Sequence, residues 1–531
     1  MTQRLDTSAP SGGRVARGAR ALAFGGVVGA LVLGAACSSS SPSTQTGAGT
    51  SSAPTTASAG SGATTTGSTP GSTGSTGSTP GSSAASAAPV NRSATPTGPL
   101  PTVTGPVTGG DKDGKPNNAA PAKLLADAGY VEEEFFLAGD ATSYQPEGTW
   151  GEDGKWSVTT GSTAPYVTRV LVRRPTSAAK FNGSVMVEWM NVTAGADVAV
   201  DFGYANRELL EKGYIYVGVT AQKVGSDATK GSDATRYASM AHPGDEYSYD
   251  MFTQAGRATL ANKVFPAEFG VKRIIADGES QSASRMTTYI NAIQKQVDVY
   301  DAFLVHSRSD RTTGVAAGQQ TPTGALIRTD LRSPTLVVLT ETDVLGNLKS
   351  KQDDSDTYRR WEVAGSAHVD NYDLAVLSGT DPKEPAGLGK ICEKPINMAH
   401  QYWVMNAGLH HLDAWINKGP LPPKGDRLTV NADGTAYEVD AQGNSKGGIR
   451  LPDVEAPIAV FAGLGNNPSF CRLYGSTVAF DAAKLAQLYP DHAAFVAKFG
   501  AAVDALHSQG FILDGDLPDA KAYAQNAKVP S

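Results

Sequence analysis

Beyond residue 100 the chain alternates between short apolar runs and longer amphipathic stretches. Residues 130–137 and 166–173 alternate apolar with polar side chains, which is typical of strands that expose one face. Six shorter apolar runs follow without alternation, which indicates strands covered on both faces of a parallel sheet. These six runs are residues 184–188, 214–219, 273–276, 302–305, 335–339 and 360–363.

Helical periodicity lies between and after these runs. Residues 281–295 place apolar side chains on one helical face, and residues 401–418 form a second amphipathic pattern that ends at Gly419. Strands that alternate with helices indicate an α/β fold. We therefore expect a mostly parallel, eight-stranded sheet flanked by helices.

The C-terminal part has a different pattern. Residues 425–480 carry the turn signals Asp433-Gly434 and Gly443-Asn444 between short alternating runs, which predicts hairpins outside the sheet core. Residues 480–531 have the pattern of terminal helices. We expect this region to be an extension or cap of a single catalytic domain that spans residues 101–531.

The first hundred residues differ from the rest in composition. From residue 38 to residue 100, 58 of 63 residues are Ser, Thr, Gly, Pro or Ala, and the only charged one is Arg92. Such a segment has too little apolar surface to offset the entropy of ordering it. Residues 37–100 are therefore predicted to be a disordered, flexible tether.

The N-terminus resembles an export signal. Four arginines precede the uncharged apolar run 21–36, which is about the length of a signal-peptide core and short for a membrane span. The small residues before Cys37 resemble a bacterial lipoprotein signal, which would make 1–36 a signal peptide and Cys37 the lipidated residue. The alternative is an ordinary secretory signal with Cys37 incidental. The first interpretation predicts an exported protein, held at the outer face of the cell membrane by its lipid anchor alone.

Charge and cysteine content exclude some classes of function. Residues 101–531 hold 40 basic and 51 acidic side chains, which argues against a nucleic-acid partner. Three cysteines are too few for a four-cysteine zinc site. With Cys37 set aside, Cys392 and Cys471 remain in an exported chain, so we expect them to form a disulfide. Two buried free thiols are the alternative.

The segment 273–283 carries the strongest chemical signal. A predicted strand runs into Gly278-Glu-Ser280-Gln-Ser282 and then directly into a helix, the context of a nucleophile elbow. Ser280 is the predicted nucleophile, and the backbone N–H of Gln281 is a predicted oxyanion donor. The second donor is expected after the third strand, at Asn191 or its neighbours Met190 and Val192, although Asn191 could also be only a turn residue.

A nucleophilic serine needs a base, and the base needs an acid to orient it. Asp343 follows the apolar run 335–339, and His368 follows the next run after a small-residue loop. Serine, acid and histidine thus follow strand ends in the chain order of an α/β-hydrolase triad. Glu341 is an alternative acid, two residues before Asp343.

Several segments together resemble the bacterial group called alpha/beta hydrolase domain-containing proteins. They are Val187–Asn191 (VEWMN), His242–Asp250 (HPGDEYSYD), Gly278–Ala283 (GESQSA), Thr340–Val344 (TETDV), Trp361–Asp370 (WEVAGSAHVD) and Gly447–Pro457 (GGIRLPDVEAP). The resemblance covers most of residues 100–531. It implies an α/β-hydrolase fold and ester hydrolysis, and it says little about the substrate.

Other candidates have weaker positions. His306 could compete as the base but precedes the acid strand, and His242 could contact substrate or cap a turn. His410 and His411 beside Asp413 lack further metal ligands, so no metal site is expected. The remaining candidates are minor: Ser282 and Ser284 as alternative serines, and Asp245 and Glu246 as solvated or helix-capping acids.

These observations predict a serine hydrolase that forms an acyl-enzyme and needs no metal or organic cofactor. The substrate would be a small-molecule or cell-envelope ester. The residues leave two alternatives open. One is an amidase or peptidase on the same triad, and the other is a lipid-tethered binding protein with a hydrolase fold and no turnover.

Overall fold

A computed structural model describes residues 97–385 and 391–529. The predicted signal peptide, Cys37 and the tether up to residue 96 lie outside the described residues. The strands are β1 Thr102–Thr104, β2 Tyr130–Glu147, β3 Ser157–Pro175, β4 Ser184–Trp189, β5 Ile215–Val219, β6 Arg273–Glu279, β7 Ala302–His306, β8 Thr335–Thr340, β9 Tyr358–Ala364, β10 Ile449–Arg450, β11 Ala459–Ala462 and β12 Ser476–Ala479.

Thirteen α-helical segments are described within the same residues. They are α1 Ala122–Ala128, α2 Val200–Glu211, α3 Lys223–Ser232, α4 Ser248–Leu260, α5 Gln281–Thr288, α6 Gln294–Val297, α7 Glu341–Val344, α8 Asn371–Ser378, α9 Tyr402–Ile416, α10 Pro452–Glu455, α11 Ala482–Leu488, α12 His492–Ser508 and α13 Leu517–Asn526. A π-helical turn, Tyr289–Ile293, joins α5 to α6, so the single helix predicted over 281–295 is interrupted. Short 3-10 turns occupy Ala178–Lys180, Asp245–Tyr247, Leu345–Asn347 and Ser469–Arg472.

The main sheet has ten strands in the order β1-β2-β3-β5-β4-β6-β7-β8-β9-β10. The strands from β5 to β10 in this order are parallel, and β1, β2 and β3 pair antiparallel at one end. All eight predicted strands are present, so the predicted fold is confirmed. Two short edge strands extend the sheet to ten. One of them, β10, lies in the region that was expected to stay outside the sheet, because Ile449 and Arg450 pair with the open edge of β9.

Two apolar layers cover the parallel strands. Alternate residues of a strand face opposite sides, so Met186 and Ile275 belong to one core and Val187 and Ile274 to the other. The first core contains α2, α9 and the terminal helices. The second contains α4, α5 and the aromatic side chains of the β2–β3 hairpin. Both faces are thus sealed, which explains the uninterrupted apolar runs.

The C-terminal region packs onto the sheet. Phe511 contacts Trp361 of β9, with ring centroids 5.0 Å apart, and β11 and β12 form an antiparallel hairpin beside the strand ends. At Gly463, after β11, an added Cβ would lie 2.6 Å from the backbone of Thr342 and of Ser366. The hairpin therefore closely approaches the two loops that carry the predicted acid and base. Within the described residues, no helix is long and apolar enough to cross a bilayer.

Candidate active site

Ser280 lies in a strained turn between β6 and α5. Its φ of 58° and ψ of −112° fall outside the regions that L-residues favour. The Ser280 N–H donates to the carbonyl oxygen of His306 on the neighbouring strand, at 2.9 Å. A Cβ at Gly278 would lie 3.1 Å from the backbone carbonyl of Ser282. The small residue at 278 therefore lets the chain turn tightly enough to present the serine at the sheet edge.

The structure brings the three predicted triad residues together. Ser280 Oγ lies 2.7 Å from His368 Nε2, and His368 Nδ1 lies 2.6 Å from Asp343 Oδ1. His368 follows β9 and Asp343 lies in α7, directly after β8. Because β6, β8 and β9 are parallel, their carboxyl ends meet at one edge of the sheet. This shared edge explains why residues 88 positions apart can touch.

Asp343 is held by the strand that precedes it. Its Oδ2 accepts hydrogen bonds from the N–H of Thr340 at 3.1 Å and from Thr340 Oγ1 at 2.6 Å. This capping contact directs the other carboxylate oxygen at His368. Burial raises the pKa of Asp343, but His368 and the hydroxyls of Thr340 and Ser307 outweigh it and lower the pKa below its usual value. The carboxylate is thus kept charged beside the imidazole.

Glu341, the alternative acid, points elsewhere. Its carboxylate accepts the N–H of Gly365 at 2.5 Å and the N–H of Gly463 at 2.9 Å. It is buried, and burial raises its pKa against the effect of these two hydrogen bonds. Glu341 therefore fastens the loop after β9 to the β11–β12 hairpin. Its contacts fix the loop that precedes His368 and leave the contact with His368 Nδ1 to Asp343.

A second carboxylate, which the sequence patterns did not single out, reaches His368. Glu279 Oε1 lies 3.0 Å from His368 Nε2. Burial of the His368 ring disfavours its charged form, but Asp343 and Glu279 together raise the pKa of His368 well above its ordinary value. The signal that the sequence offered was a charged residue, Glu279, at the end of a predicted buried strand and directly before the predicted nucleophile.

The backbone N–H groups predicted as oxyanion donors differ in whether they already have a hydrogen-bond acceptor. Gln281 is the first residue of α5, where a helix has backbone N–H groups without an intrahelical partner. The prediction of Asn191 is wrong, because its N–H donates to Val198 O at 3.0 Å, and the N–H of Met190 donates to Val219 O at 3.3 Å. Of the three predicted residues, Val192 alone has an N–H with no hydrogen bond to the described part of the chain.

The Asn191 side chain makes hydrogen bonds to Glu279 and within its own turn. Its amide Nδ2 donates to Glu279 O at 3.1 Å and to Glu279 Oε2 at 2.8 Å. Its Oδ1 accepts the N–H of Thr193 at 2.7 Å, which is the turn contact considered as the alternative. Ser282 Oγ donates to Met190 O at 3.3 Å. The loop after β4 is thus bonded directly to the nucleophile turn.

Two further histidines that were considered for the site have structural partners. His306 Nδ1 lies 2.7 Å from Asp201 Oδ1, and its side chain is buried. His242 Nε2 lies 3.0 Å from Ala221 O, while its Nδ1 accepts the N–H of Gly244 at 3.3 Å. His242 therefore caps a turn.

His410 and His411 of α9 contact different parts of the protein. His410 Nδ1 lies 3.0 Å from Glu208 Oε1, His411 Nε2 lies 2.7 Å from Gly510 O, and Asp413 accepts from Ser184 Oγ at 2.5 Å. These three side chains do not converge on one point. Across residues 97–385 and 391–529, no group of three or more His, Cys, Asp or Glu could hold a metal ion.

The remaining candidates lie beside the nucleophile helix. Ser284 Oγ is 2.7 Å from Thr313 Oγ1, and Arg285 pairs with Asp245 at 2.8 Å. Asp245 also accepts the N–H of Lys223 at 2.8 Å, at the start of α3. Asp245 thus caps one helix and pairs with another. Glu246 lies in the adjacent 3-10 turn.

A disulfide joins Cys392 to Cys471, with 5.5 Å between the Cα atoms. Both residues are buried in a small apolar cluster with Ile396 and Tyr474. The chain on either side contacts the loop after β9. The N–H of Val369 donates to Leu473 O at 3.1 Å, and Asn397 Nδ2 donates to Gly365 O at 2.8 Å. The cross-link therefore stabilises the segments that enclose His368.

Fold and site together define an α/β hydrolase. The chain belongs to the family described as "Alpha/beta hydrolase domain", whose model matches residues 103–522. This match covers most of the chain and agrees with the resemblance seen in the sequence motifs.

Solved structures that show some similarity to this chain include three hydrolases. Esterase Est22 is 12% identical, with 50% of this chain and 79% of that chain covered and a TM-score of 0.28. An α/β serine hydrolase without a lid from Xanthomonas campestris is 10% identical, with coverage of 45% and 88% and a TM-score of 0.27. A structure from an analysis of two fungal esterases from Rhizomucor miehei is 12% identical, with 48% of this chain and 82% of that chain covered and a TM-score of 0.26. Similarities this low say nothing about the substrate. No curated protein matches the chain.

Proposed function

We propose that the protein is an exported serine hydrolase that cleaves a carboxylic ester through a covalent acyl-enzyme. The observation that supports this most directly is the continuous line of contacts from Ser280 Oγ through both ring nitrogens of His368 to Asp343. These contacts are 2.7 and 2.6 Å long, and they follow a strained turn at the sheet edge. Membership of an α/β hydrolase family agrees with it.

In the first half of the reaction, Ser280 Oγ attacks the ester carbonyl carbon while its proton passes to His368 Nε2. Asp343 accepts the hydrogen bond from Nδ1–H and stabilises the imidazolium that forms. When the tetrahedral intermediate collapses, the proton on Nε2 passes to the departing alcohol oxygen. The acyl group remains bound to Ser280.

In the second half, water takes the place of the alcohol. His368 Nε2 removes a proton from water as the oxygen attacks the acyl carbon. Collapse of this intermediate releases the carboxylic acid and returns the proton to Ser280 Oγ. His368 therefore acts first as base and then as acid in each half, and its neutral form is required at the start.

The negative charge on the carbonyl oxygen needs donors already in place. The N–H of Gln281 at the start of α5 is one proposed donor. The N–H of Val192 is the second, because its neighbours Met190 and Asn191 already donate to Val219 and Val198. The contacts of Asn191 and Ser282 hold this loop against the nucleophile turn.

A fluorophosphonate probe tests the proposal directly, since it bonds covalently to an activated serine. Labelling of the wild-type chain at Ser280, and none in Ser280→Ala, is expected. A non-catalytic protein with a hydrolase fold would remain unlabelled. Matched ester and amide substrates then separate esterase from amidase activity, and p-nitrophenyl esters of increasing chain length identify the preferred acyl group. Faster turnover of amides would overturn the ester assignment.

We also propose that the catalytic domain is tethered to the membrane by a lipid on Cys37 and the Ser/Thr/Gly-rich segment up to residue 100. The support is the sequence alone: a basic start, an apolar core and small residues before the cysteine. Cys37→Ser should release the protein into the medium or leave its precursor unprocessed. Unchanged membrane fractionation of this variant would contradict a lipid anchor.

A further inference from the structure

Glu279 reaches the reactive nitrogen of His368 from the side opposite Asp343. Its Oε1 lies 3.0 Å from Nε2, the nitrogen that also lies 2.7 Å from Ser280 Oγ. This carboxylate oxygen makes no hydrogen bond, although its side chain is only 2% exposed. Because Nε2 is directed at the serine, the contact with Glu279 is electrostatic and lacks the alignment of a hydrogen bond.

The other end of the carboxylate is fixed. Asn191 Nδ2 donates to Glu279 Oε2 at 2.8 Å and to the Glu279 backbone oxygen at 3.1 Å. Asn191 is itself fastened by an exchange of hydrogen bonds with Val198, at 3.0 and 2.8 Å. The amide therefore orients Glu279 so that its free oxygen faces the imidazole.

The titratable groups around Glu279 and His368 come from four other elements of the fold. The groups that interact electrostatically with Glu279 or His368 are Asp343 of α7, His306 of β7, Asp201 of α2, Asp373 of α8 and Tyr204 of α2. Burial and Asp201 raise the pKa of Glu279, the two histidines lower it, and the pKa stays above its usual value. Among the described residues no lysine or arginine pairs with Glu279, so the nearest cationic charge available to it is that of His368.

We propose that Glu279 is a positioning residue that stabilises the imidazolium of His368 from its Nε2 side. The inference rests on the proposed serine hydrolase function and adds a second carboxylate to it. When the Ser280 proton moves to Nε2, the positive charge lies between Asp343 at Nδ1 and Glu279 at Nε2. Glu279 keeps its charge throughout, and the proton continues to the leaving alcohol.

This arrangement has two opposite effects on activity. A carboxylate beside Nε2 favours the imidazolium in the transition state and so speeds the proton transfer. The same carboxylate favours the imidazolium in the free enzyme, where His368 must be neutral to act as a base. Activity should therefore begin at a higher pH than it would without Glu279, and reach a higher plateau.

The decisive variant is Glu279→Gln, which removes the charge with little change in size. We expect the midpoint of the acidic limb of kcat/KM to fall by about one pH unit. The plateau should drop by about tenfold, as a matching loss of imidazolium stabilisation would produce. Glu279→Asp keeps the charge but withdraws it from Nε2, so its midpoint should lie between the two. Glu208→Gln, another buried glutamate that faces a histidine, is the matched control and should leave the midpoint unchanged.

An unchanged midpoint with a lower plateau would overturn the proposal. A purely structural role lowers kcat/KM without changing the pH at which the acidic limb has its midpoint. Thermal unfolding checks that each variant is folded. If Glu279→Gln does not fold, the comparison of Glu279→Asp with the wild type provides the test.

Titration of the His368 ring by NMR separates this inference from the proposed function. If the wild type neither turns over esters nor reacts with fluorophosphonate, the proposed function fails. An equal His368 pKa in the wild type and Glu279→Gln would overturn the inference by itself.

Discussion

The two ends of the main sheet hold buried carboxylates in different ways. At the antiparallel end, Glu134 lies 2.8 Å from Arg169 and 2.7 Å from Arg236, and Asp197 lies 3.0 Å from Arg169. Near the carboxyl ends of the parallel strands, six buried acids form no ion pair with an arginine or lysine among the described residues. These acids are Glu188, Asp201, Asp277, Glu279, Asp370 and Asp373; two of them face histidines, His306 and His368.

The two regions differ in whether the partner of a buried acid can lose its charge. An arginine keeps its charge at every pH that a folded protein tolerates, so its pairs are permanent. A histidine gains and loses its proton near neutrality, so the charge that it presents to a buried acid changes with pH. Burial and Asp201 raise the pKa of Glu188 to about 8, and burial raises the pKa of Asp370 to about 7. The acids Glu134 and Asp197 thus have permanent cationic partners, whereas Glu188 and Asp370 have raised pKa values and no such partner.

The largest expected effect is on activity at the catalytic end. Ser280→Ala should lower kcat on a p-nitrophenyl ester by about a million-fold, because the nucleophile acts with His368 and Asp343 as a unit. Its unfolding midpoint should match that of the wild type, since one hydroxyl at the site is lost. Ser284→Ala, four residues further along in α5, is the control with activity retained. More than a few per cent of residual activity in the Ser280→Ala variant would refute the assignment.

The two acids after β8 should differ by a wide margin. Asp343→Asn removes the negative charge beside His368 Nδ1 and leaves the imidazole in the wrong tautomer, which should cost about 10⁴ in rate by analogy with other triads. Glu341→Gln should act mainly on stability, because Glu341 fastens Gly365 and Gly463. Both variants are compared on one ester at one pH, alongside urea unfolding. A crippled Glu341→Gln with a nearly normal Asp343→Asn would reverse the assignment.

At the antiparallel end the expected loss is in stability. Arg169→Met leaves Glu134 and Asp197 buried without their shared partner, so the free energy of unfolding should fall by about 3–5 kcal/mol. The rate per folded molecule should stay close to that of the wild type. Glu134→Gln/Asp197→Asn added to Arg169→Met should recover part of the loss. A loss of activity that exceeds the loss of folded protein would abolish the distinction between the two ends.

The smallest expected effect concerns Asp277, which is fully buried with both carboxylate oxygens unbonded. Burial, Asp201 and Glu188 raise its pKa well above the usual value. A raised carboxyl pKa means that the folded state binds the proton more tightly. Its contribution to stability is therefore full below about pH 4 and is lost as the pH rises through the folded-state value.

Asp277→Asn removes this dependence, since an amide does not titrate. The variant should gain about 1 kcal/mol or more relative to the wild type at pH 8 compared with pH 5. Urea unfolding at the two pH values measures it. A difference between variant and wild type that is equal at both pH values would show that Asp277 is charged in the fold throughout.

Much of the fold could be predicted because its strands have distinct patterns. The uninterrupted apolar runs 184–188 and 335–339 indicated sealed strands, and the triad residues follow strand ends in hydrolase order. The edge strand β10 could not be predicted in this way, because two residues carry no periodicity. The π-helical turn at Tyr289–Ile293 likewise depends on packing between α5 and its neighbours.

The candidate site shows where local patterns stop being informative. Asn191 was predicted as an oxyanion donor from its place after β4, but a bridge with Val198 occupies its N–H. Glu341 and Asp343 both follow the same strand, and only the direction of each carboxylate separates their roles. Glu279 precedes the nucleophile in the chain, yet its contact with His368 depends on a loop 89 positions further along.

The sequence by itself determined the α/β class, the strand order along the chain, and the serine, acid and histidine that could form a triad. Strand and helix periods are local, so neighbouring residues are enough to reveal them. The tertiary structure alone decided that Asp343 faces His368 while Glu341 fastens two loops, and that the Asn191 side chain holds Glu279 beside His368. These contacts join residues far apart in the chain, and their geometry depends on parallel strands ending at one edge.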